Sequence, residues 1–253
     1  MGRLRNKTLI LTGASEGIGR ALALELARRG SRLVLAARNA ERLDSLVREC
    51  EALGAEALAV PCDIAEREAC RDLVDRSVER FGQIDGLINN AGVTMWTLFE
   101  QVTDLDIFDR LMRVNYLGAV ALTHYALPYL KQTRGRLVAV TSVAGLTGVP
   151  TRTGYAASKH AMFGFFDSLR IEIADSGVTV TIVAPDFVRS EIHRRAMTGS
   201  GEVLGESPFE GSKIMSAETC ARIIADATAR RRRLAITSAR GRLGRWVRLV
   251  APG

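Results

Sequence analysis

The chain has 253 residues, 47% of them hydrophobic, which suits one α/β domain with a substantial core; no apolar run reaches about 18 residues, so no membrane-spanning helix is expected. Basic side chains outnumber acidic ones 35 to 28, a net charge of +7. Much of the excess falls late, at Arg230, Arg231, Arg232 and Arg233 and again at Arg240, Arg242, Arg245 and Arg248; such runs read first as a solvated face, and no nucleic-acid partner is expected.

The basic start (Arg3, Arg5, Lys7) precedes an apolar run too short for a secretion signal, and residues 8–12 read as a first strand. Residues 13–19 are a glycine-rich turn, and 18–29 a helix with Leu22 and Leu26 on one face and Gly30 stopping it. Further strands are predicted at 32–37, 55–61 and 84–89, with helices at 40–53 and 65–81. Residues 104–131 read as one long helix, 135–142 as a fifth strand, and 152–175 as a second long helix. The strand predicted at 178–184 has the continuous apolar character of burial on both faces.

Residues 186–215 then break the rhythm, being mixed, charged and glycine-containing, the composition of a substrate lid or mobile loop. Ser216 caps a helix through residue 229, with Glu218 in the first turn where the helix dipole favours an acid. A last strand falls at 234–237. Residues 240–250 form a basic amphipathic segment, with Leu243, Trp246, Val247 and Val250 at helical intervals among arginines. The alternation predicts a single Rossmann-type domain over residues 1–253: a doubly wound parallel sheet of about seven strands with helices on both faces and right-handed crossovers.

The four cysteines, Cys50, Cys62, Cys70 and Cys220, form no C-x-x-C pair, and three histidines offer no metal cluster. Reduced, packed thiols in a cytoplasmic protein are expected, with no metal.

The turn Thr12-Gly13-Ala14-Ser15-Glu16-Gly17-Ile18-Gly19 leaves a strand and opens a helix. Gly13 permits the tight turn, Gly17 lets the backbone approach a pyrophosphate, and Gly19 allows close helix–sheet packing. The helix N-terminus then presents free N–H groups and a positive dipole end to the phosphates. The second strand ends in Ala37-Arg38-Asn39, where an NAD-selective site would carry an acid for the ribose 2′-hydroxyl. Arg38 instead suits a 2′-phosphate through forked, charge-assisted hydrogen bonds, so NADP(H) is expected; the alternative is a surface arginine paired with Glu41 or Asp63.

Tyr155 and Lys159 stand four apart in a helix and share one face. An ammonium beside a phenol favours phenolate, so the pair predicts a tyrosine pKa pulled below about 10 and a candidate acid/base.

With these residues in place the chain resembles the short-chain dehydrogenase/reductase family over essentially its whole length. The glycine turn is similar to the family's T-G-x-x-x-G-x-G, and Asp63 to the aspartate expected against the adenine. Asn89-Asn90-Ala91-Gly92 is similar to N-N-A-G, and Asn115 falls where the family has its helix asparagine. Ser142 precedes Tyr155 by 13 residues, and Lys159 completes Y-x-x-x-K. Residues 126–132 and 164–170 look most like the branch around 11β-hydroxysteroid dehydrogenase type 1, and 3-ketodihydrosphingosine reductases are similar too. Relatives there often carry an N-terminal membrane anchor, whereas this chain is expected to begin directly at its first strand. One departure stands out: where the family has P-G-x-x-x-T, the chain has Pro185-Asp186-Phe187-Val188-Arg189-Ser190, which puts the local backbone shape in question.

The resemblance implies reversible hydride transfer between nicotinamide C4 and a carbonyl carbon. Tyr155 would donate the proton, Ser142 orient the carbonyl oxygen, Lys159 lower the Tyr155 pKa and hold the ribose, and Asn115 fix a relaying water. The implied cofactor contacts are Gly13, Ser15, Glu16, Gly17, Ile18, Gly19, Arg38, Asn39, Asp63, Ile64, Asn90, Ala91, Gly92, Tyr155, Lys159, Pro185, Val188 and Ser190. Substrate contacts are expected from Ser142, Tyr155, Trp96, Val149 and Phe187, with Met95, Leu98, Val143 and Ile192 on the same rim, and point to a lipophilic ketone or secondary alcohol. Arg152, Arg189, Arg194 and Arg195 leave an anionic substrate, such as an acyl thioester or sugar acid, as the alternative. A non-catalytic dinucleotide sensor is the third reading. The family implies a homodimer or homotetramer through the two long helices; residues 240–250 either dock on a membrane or serve as a helix packed on the body or on a dimer partner.

Overall fold

The central strands are apolar because both of their faces are covered. The computed structural model describes residues 2–250. All five residues of β1 (Thr8–Thr12) are buried. It pairs in parallel with β2 (Arg32–Ala37) on one side and β4 (Gly86–Asn89) on the other. β3 (Ala57–Pro61) continues beyond β2, and β5 (Arg136–Val140), β6 (Thr179–Ala184) and β7 (Leu234–Ile236) continue beyond β4. The result is one seven-stranded sheet in the order β3-β2-β1-β4-β5-β6-β7, parallel at every pairing. The order reverses between β1 and β4, the switch point at which open α/β sheets place ligands.

The pleat sorts side chains to two cores. Leu9, Leu11, Leu33 and Leu35 face α1 (Gly17–Arg28), α2 (Ala40–Ala52) and α7 (Ala217–Ala229) through Leu22, Leu43 and Ile224. Ile10, Val34, Leu137 and Ile182 face α3 (Arg67–Phe81), α5 (Gly118–Thr133) and α6 (Thr153–Glu172) through Leu73, Leu122 and Phe166. A third cluster, with Met95, Ile107, Leu111, Tyr155 and Met197, joins α4 (Asp106–Met112) to the irregular segment.

The predicted strands at 8–12 and 32–37 match their observed bounds, and the Ser216 cap accepts from Thr219 N as expected. Two expectations are corrected. The helix predicted over 104–131 is α4 and α5 joined by a π-helical turn, Arg113–Leu117, which buries Asn115. At that seam Gly118 lies so close to strand-end backbone that a Cβ would sit 2.4 Å from Ile64 O. The strand predicted from residue 84 begins at Gly86; just before it the Asp85 backbone still bonds Thr8 O and Arg136 N, and its carboxylate takes Lys7 Nζ, Thr8 N and Gln83 Nε2 at 2.7–2.9 Å.

Residues 186–215 hold no helix or strand, only isolated bridges such as Met95 to Met197 and Val188 to Met215. The segment packs on an aromatic group in which Phe209 meets Phe187 at 4.3 Å, His193 at 4.9 Å and Trp96 at 5.4 Å. Asp186 has its own purpose. It accepts from Phe187 N, from Ser238 Oγ at 2.7 Å and from both Arg240 Nε and Nη2, tying this segment to the start of α8 (Ala239–Val250). Burial disfavours the carboxylate, but those donors outweigh it and hold the acid below the usual carboxylate range. On α8 the side chains of Leu243, Trp246, Val247 and Val250 are exposed.

Candidate active site

A cavity of about 690 Å³ opens across the C-terminal ends of the central strands, at the switch point. Every cofactor position expected from the sequence lines it, from Gly13 through Arg38, Asp63 and Asn90 to Ser190.

The glycine turn forms one end. Gly13 and Gly17 have φ of +64° and +53°, and a Cβ on Gly19 would stand 1.9 Å from Gly13 O. The turn is clamped from β4: Asn90 Nδ2 donates to Thr12 O at 2.9 Å, and Thr12 Oγ1 accepts from Asn90 N and Ala91 N, both at 3.0 Å. Glu16, the N-cap of α1, makes no side-chain cap bond, so the first amides of α1 remain available at the cavity wall. Its carboxylate instead holds Arg42 at 2.7 Å and Arg195 at 2.8 Å, strapping the glycine turn to α2 and to the irregular segment. Arg38 is exposed and lines the same end, with no ion pair to Glu41, Asp63 or any other described residue. The cradle and the open amides fit the pyrophosphate of a dinucleotide.

Ser142, Tyr155 and Lys159 line the other end. Ser142 follows β5; its Oγ accepts from Ala144 N at 3.1 Å and lies 3.4 Å from Pro185 O. Tyr155 and Lys159 project from one face of α6, buried at 8% and 3% exposure.

The expected effect of the lysine on the tyrosine is corrected. Burial pushes the Tyr155 phenol above its ordinary value; the Arg152 guanidinium and the Ser142 hydroxyl oppose this. Lys159 Nζ lies 5.8 Å from the Tyr155 ring centre and donates to Val140 O at 3.1 Å, and burial brings its own pKa down to about 8. The charged group that opposes the burial-driven rise is Arg152, the N-cap residue of α6, one turn before Tyr155.

Four of the expected catalytic and rim residues sit off the wall. Asn115 does not line the cavity: its Nδ2 donates to Val93 O and to Ser158 Oγ, both at 2.9 Å, and its Oδ1 accepts from Val93 N at 2.8 Å. Trp96 stands behind Arg152, whose Cζ lies 4.6 Å from the indole centre. Val149, Val143, Phe187 and Ile192 do line it, whereas Met95 is buried behind it and accepts from Gly154 N, and Leu98 is exposed. Of the arginines held open for an anion, Arg194 pairs with Glu210 and Arg195 with Glu16, and Arg189 is exposed away from the cavity. Only Arg152 of the four is buried.

Sequence reasoning missed His193 and Phe209, which belong to no motif and acquire a role only when the segment folds over Phe187. All four cysteines are free and buried, and burial raises Cys50 to about 11 and Cys220 to about 12, so these two thiols stay protonated. Among the described residues no acidic, histidine or cysteine cluster suits a metal ion.

Comparison with known proteins agrees with this geometry. The short chain dehydrogenase family profile matches residues 7–200. The 11-beta-hydroxysteroid dehydrogenase A of Sesamum indicum is 34% identical over 252 residues, covering 97% of this chain and 72% of that protein. The 11-beta-hydroxysteroid dehydrogenase-like 4A of Arabidopsis thaliana is 41% identical over 189 residues, 74% of this chain and 63% of that protein. A crystal structure of a short chain dehydrogenase/reductase from Burkholderia phymatum in complex with NAD superposes with a TM-score of 0.86 at 25% identity, covering 99% of this chain and 95% of that one. The extended family match, the seven-stranded parallel sheet and the Ser142, Tyr155 and Lys159 group at its switch point place this chain in the short-chain dehydrogenase/reductase family of oxidoreductases.

Proposed function

We propose that the protein exchanges a hydride reversibly between NADP(H) and a carbonyl or secondary alcohol on an apolar body. The observation that carries this reading is a single cavity with an anion cradle and an unpaired Arg38 at one end and Ser142, Tyr155 and Lys159 at the other. The NAD in the Burkholderia phymatum relative supports a nicotinamide dinucleotide, which when bound supplies or takes up the hydride. Gly13, Gly17, Gly19 and the α1 amides would hold its pyrophosphate, Arg38 its 2′-phosphate, and Lys159 its nicotinamide ribose.

The chain's own groups then handle the oxygen and the proton. Ser142 Oγ hydrogen-bonds the substrate oxygen and orients it. In reduction the Tyr155 hydroxyl gives its proton to that oxygen; in oxidation tyrosinate removes it. Burial keeps the phenol protonated, which suits the reductive direction, while Arg152 and Ser142 stabilise the anion left after transfer. Asn115 acts through position, holding the Val93 backbone and Ser158 beneath the site. The irregular segment 186–215 acts as the substrate lid. Val143, Val149, Phe187 and Ile192 on the wall, and the hydroxysteroid names of the relatives, support an apolar ketone or alcohol.

Purified protein supplied with NADPH or NADH and a panel of steroid, aliphatic and aryl ketones tests this reading by cofactor absorbance. NADPH oxidation dependent on ketone supports it; tight NADPH binding with no turnover of any ketone would establish a sensor instead. Exposed Leu117, in the turn between α4 and α5, and Ile171 on α6 support a homo-oligomer through these helices. The exposed apolar stripe of α8 beside Arg242 and Arg245 supports peripheral contact with anionic lipid, which flotation with vesicles, with and without residues 238–253, resolves. No helix among the described residues is long and apolar enough to cross a membrane.

A further inference from the structure

Arg152 is a buried cation with no anion. It is 5% exposed and lines the cavity, and no carboxylate pairs with it among the described residues. The other arginines on the wall, Arg38, Arg42, Arg110 and Arg195, are all exposed.

Its surroundings are aromatic. The guanidinium carbon lies 4.6 Å from the Trp96 ring centre, 5.4 Å from Phe187 and 5.5 Å from Tyr155. Its one hydrogen bond runs from Nη2 to His193 Nδ1 at 3.2 Å. His193 Nε2 faces the Val188 carbonyl at 3.2 Å, and a carbonyl only accepts, so the ring proton sits on Nε2 and Nδ1 is the acceptor. Burial and the neighbouring guanidinium bring His193 down to about 4, so the imidazole is neutral near neutral pH and the pair carries one uncompensated positive charge. Nε is buried without a partner, and Nη1 makes no hydrogen bond. A guanidinium has five N–H donors, and four of these remain free. Ring faces offset part of the desolvation of a cation, but buried charges are ordinarily paired, and the missing partner here belongs beside the reacting tyrosine.

We propose that Arg152 is a substrate carboxylate site, so that the natural substrate is an apolar oxo acid, or its hydroxy acid, with the carboxylate within a few bonds of the reacting carbon. The fork of the guanidinium matches the two oxygens of a carboxylate, and the contact of Arg152 with the Tyr155 ring places the two groups of the substrate side by side. Val143, Val149 and Ile192 take the apolar body. Arg152 would then discriminate among carbonyls, while Ser142 and Tyr155 perform the proton chemistry. The inference rests on the reductase reading above.

The test is a paired comparison with NADPH: an aryl-substituted α-oxo acid and an aryl-substituted γ-oxo acid, each against its methyl ester. The expected result is a kcat/KM for at least one acid roughly 10–100-fold above its ester, the range of a charge-assisted hydrogen bond. Arg152→Met should bring that ratio to about one or below, with NADPH affinity and thermal melting measured alongside to show that the variant is folded. Esters turned over as well as acids by the unmodified protein, or an acid preference that survives in Arg152→Met, would overturn the carboxylate site and leave the reductase standing. Turnover of neither acids, esters nor neutral ketones by protein that binds NADPH would overturn both. If Arg152→Met does not fold, the comparison in the unmodified protein decides alone.

Discussion

Replacing Arg38 by Asp should invert the cofactor preference. Arg38 follows β2, lines the glycine-turn end of the cavity and pairs with no described acid, whereas its neighbour Arg42 is already held by Glu16 at 2.7 Å. A 2′-phosphate would therefore meet Arg38 without first breaking an ion pair. One charge-assisted hydrogen bond contributes about 1.5–3 kcal/mol. Because Arg38 is exposed, the lower end applies, about 1.5 kcal/mol or tenfold. The introduced carboxylate adds repulsion of about 1 kcal/mol at roughly 4 Å in a water-like dielectric. NADPH affinity should thus fall about 50- to 100-fold, while NADH, which offers a ribose hydroxyl to the new acid, should bind as well or better. Equilibrium titration of both cofactors by calorimetry, repeated at raised salt, reads the difference directly. Equal losses for NADPH and NADH would refute the assignment of Arg38 to the 2′-phosphate.

Two further outcomes follow from the geometry. Gly19→Ala should weaken binding of either dinucleotide by more than about tenfold, because its Cβ would lie 1.9 Å from Gly13 O and the pyrophosphate turn must open to admit it; a calorimetric titration showing unchanged affinity would contradict the packed turn. The lid should loosen in acid. His193 binds its proton at about 4 when folded against an ordinary 6.5, so unfolded lid takes up protons first and its stability, full above 6.5, is lost as pH falls toward 4. Trp96 fluorescence should report that transition through its contacts with Arg152 and Phe209, and His193→Gln should flatten it; an unchanged transition in that variant would assign it elsewhere.

The elements were legible where local chemistry decides them. The buried strands β1 and β2 and the Ser216 cap are specified by runs and residues a few positions long. The glycine turn was legible because positive φ at Gly13 and Gly17 and the close approach at Gly19 each exclude a side chain. What escaped depends on distant contacts. The π-helical turn at Asn115 sits where Gly118 abuts the Ile64 carbonyl 54 residues away, which helical periodicity does not encode. The effect of Lys159 on Tyr155 was read from spacing and from the family resemblance, yet Lys159 turns to the Val140 carbonyl, and Arg152 is the cation that opposes the rise in the tyrosine pKa. Arg152 stood in the sequence as one of several arginines near the lid. Only the folded chain shows that the others are solvated or paired while it is enclosed by Trp96, Phe187 and His193. The unusual Asp186 likewise makes sense only once α8 brings Ser238 and Arg240 to it.

The central claim is that this cavity is an oxidoreductase site with Tyr155 as its acid and base. Tyr155→Phe removes one hydroxyl from a buried ring and leaves the glycine turn and Arg38 in place. Single-turnover reduction of a ketone accepted by the unmodified protein should slow by about 10²- to 10⁴-fold, with NADPH affinity within about twofold of the original. A variant that reduces the ketone at the original rate would show that the proton comes from elsewhere and that the site has been misassigned.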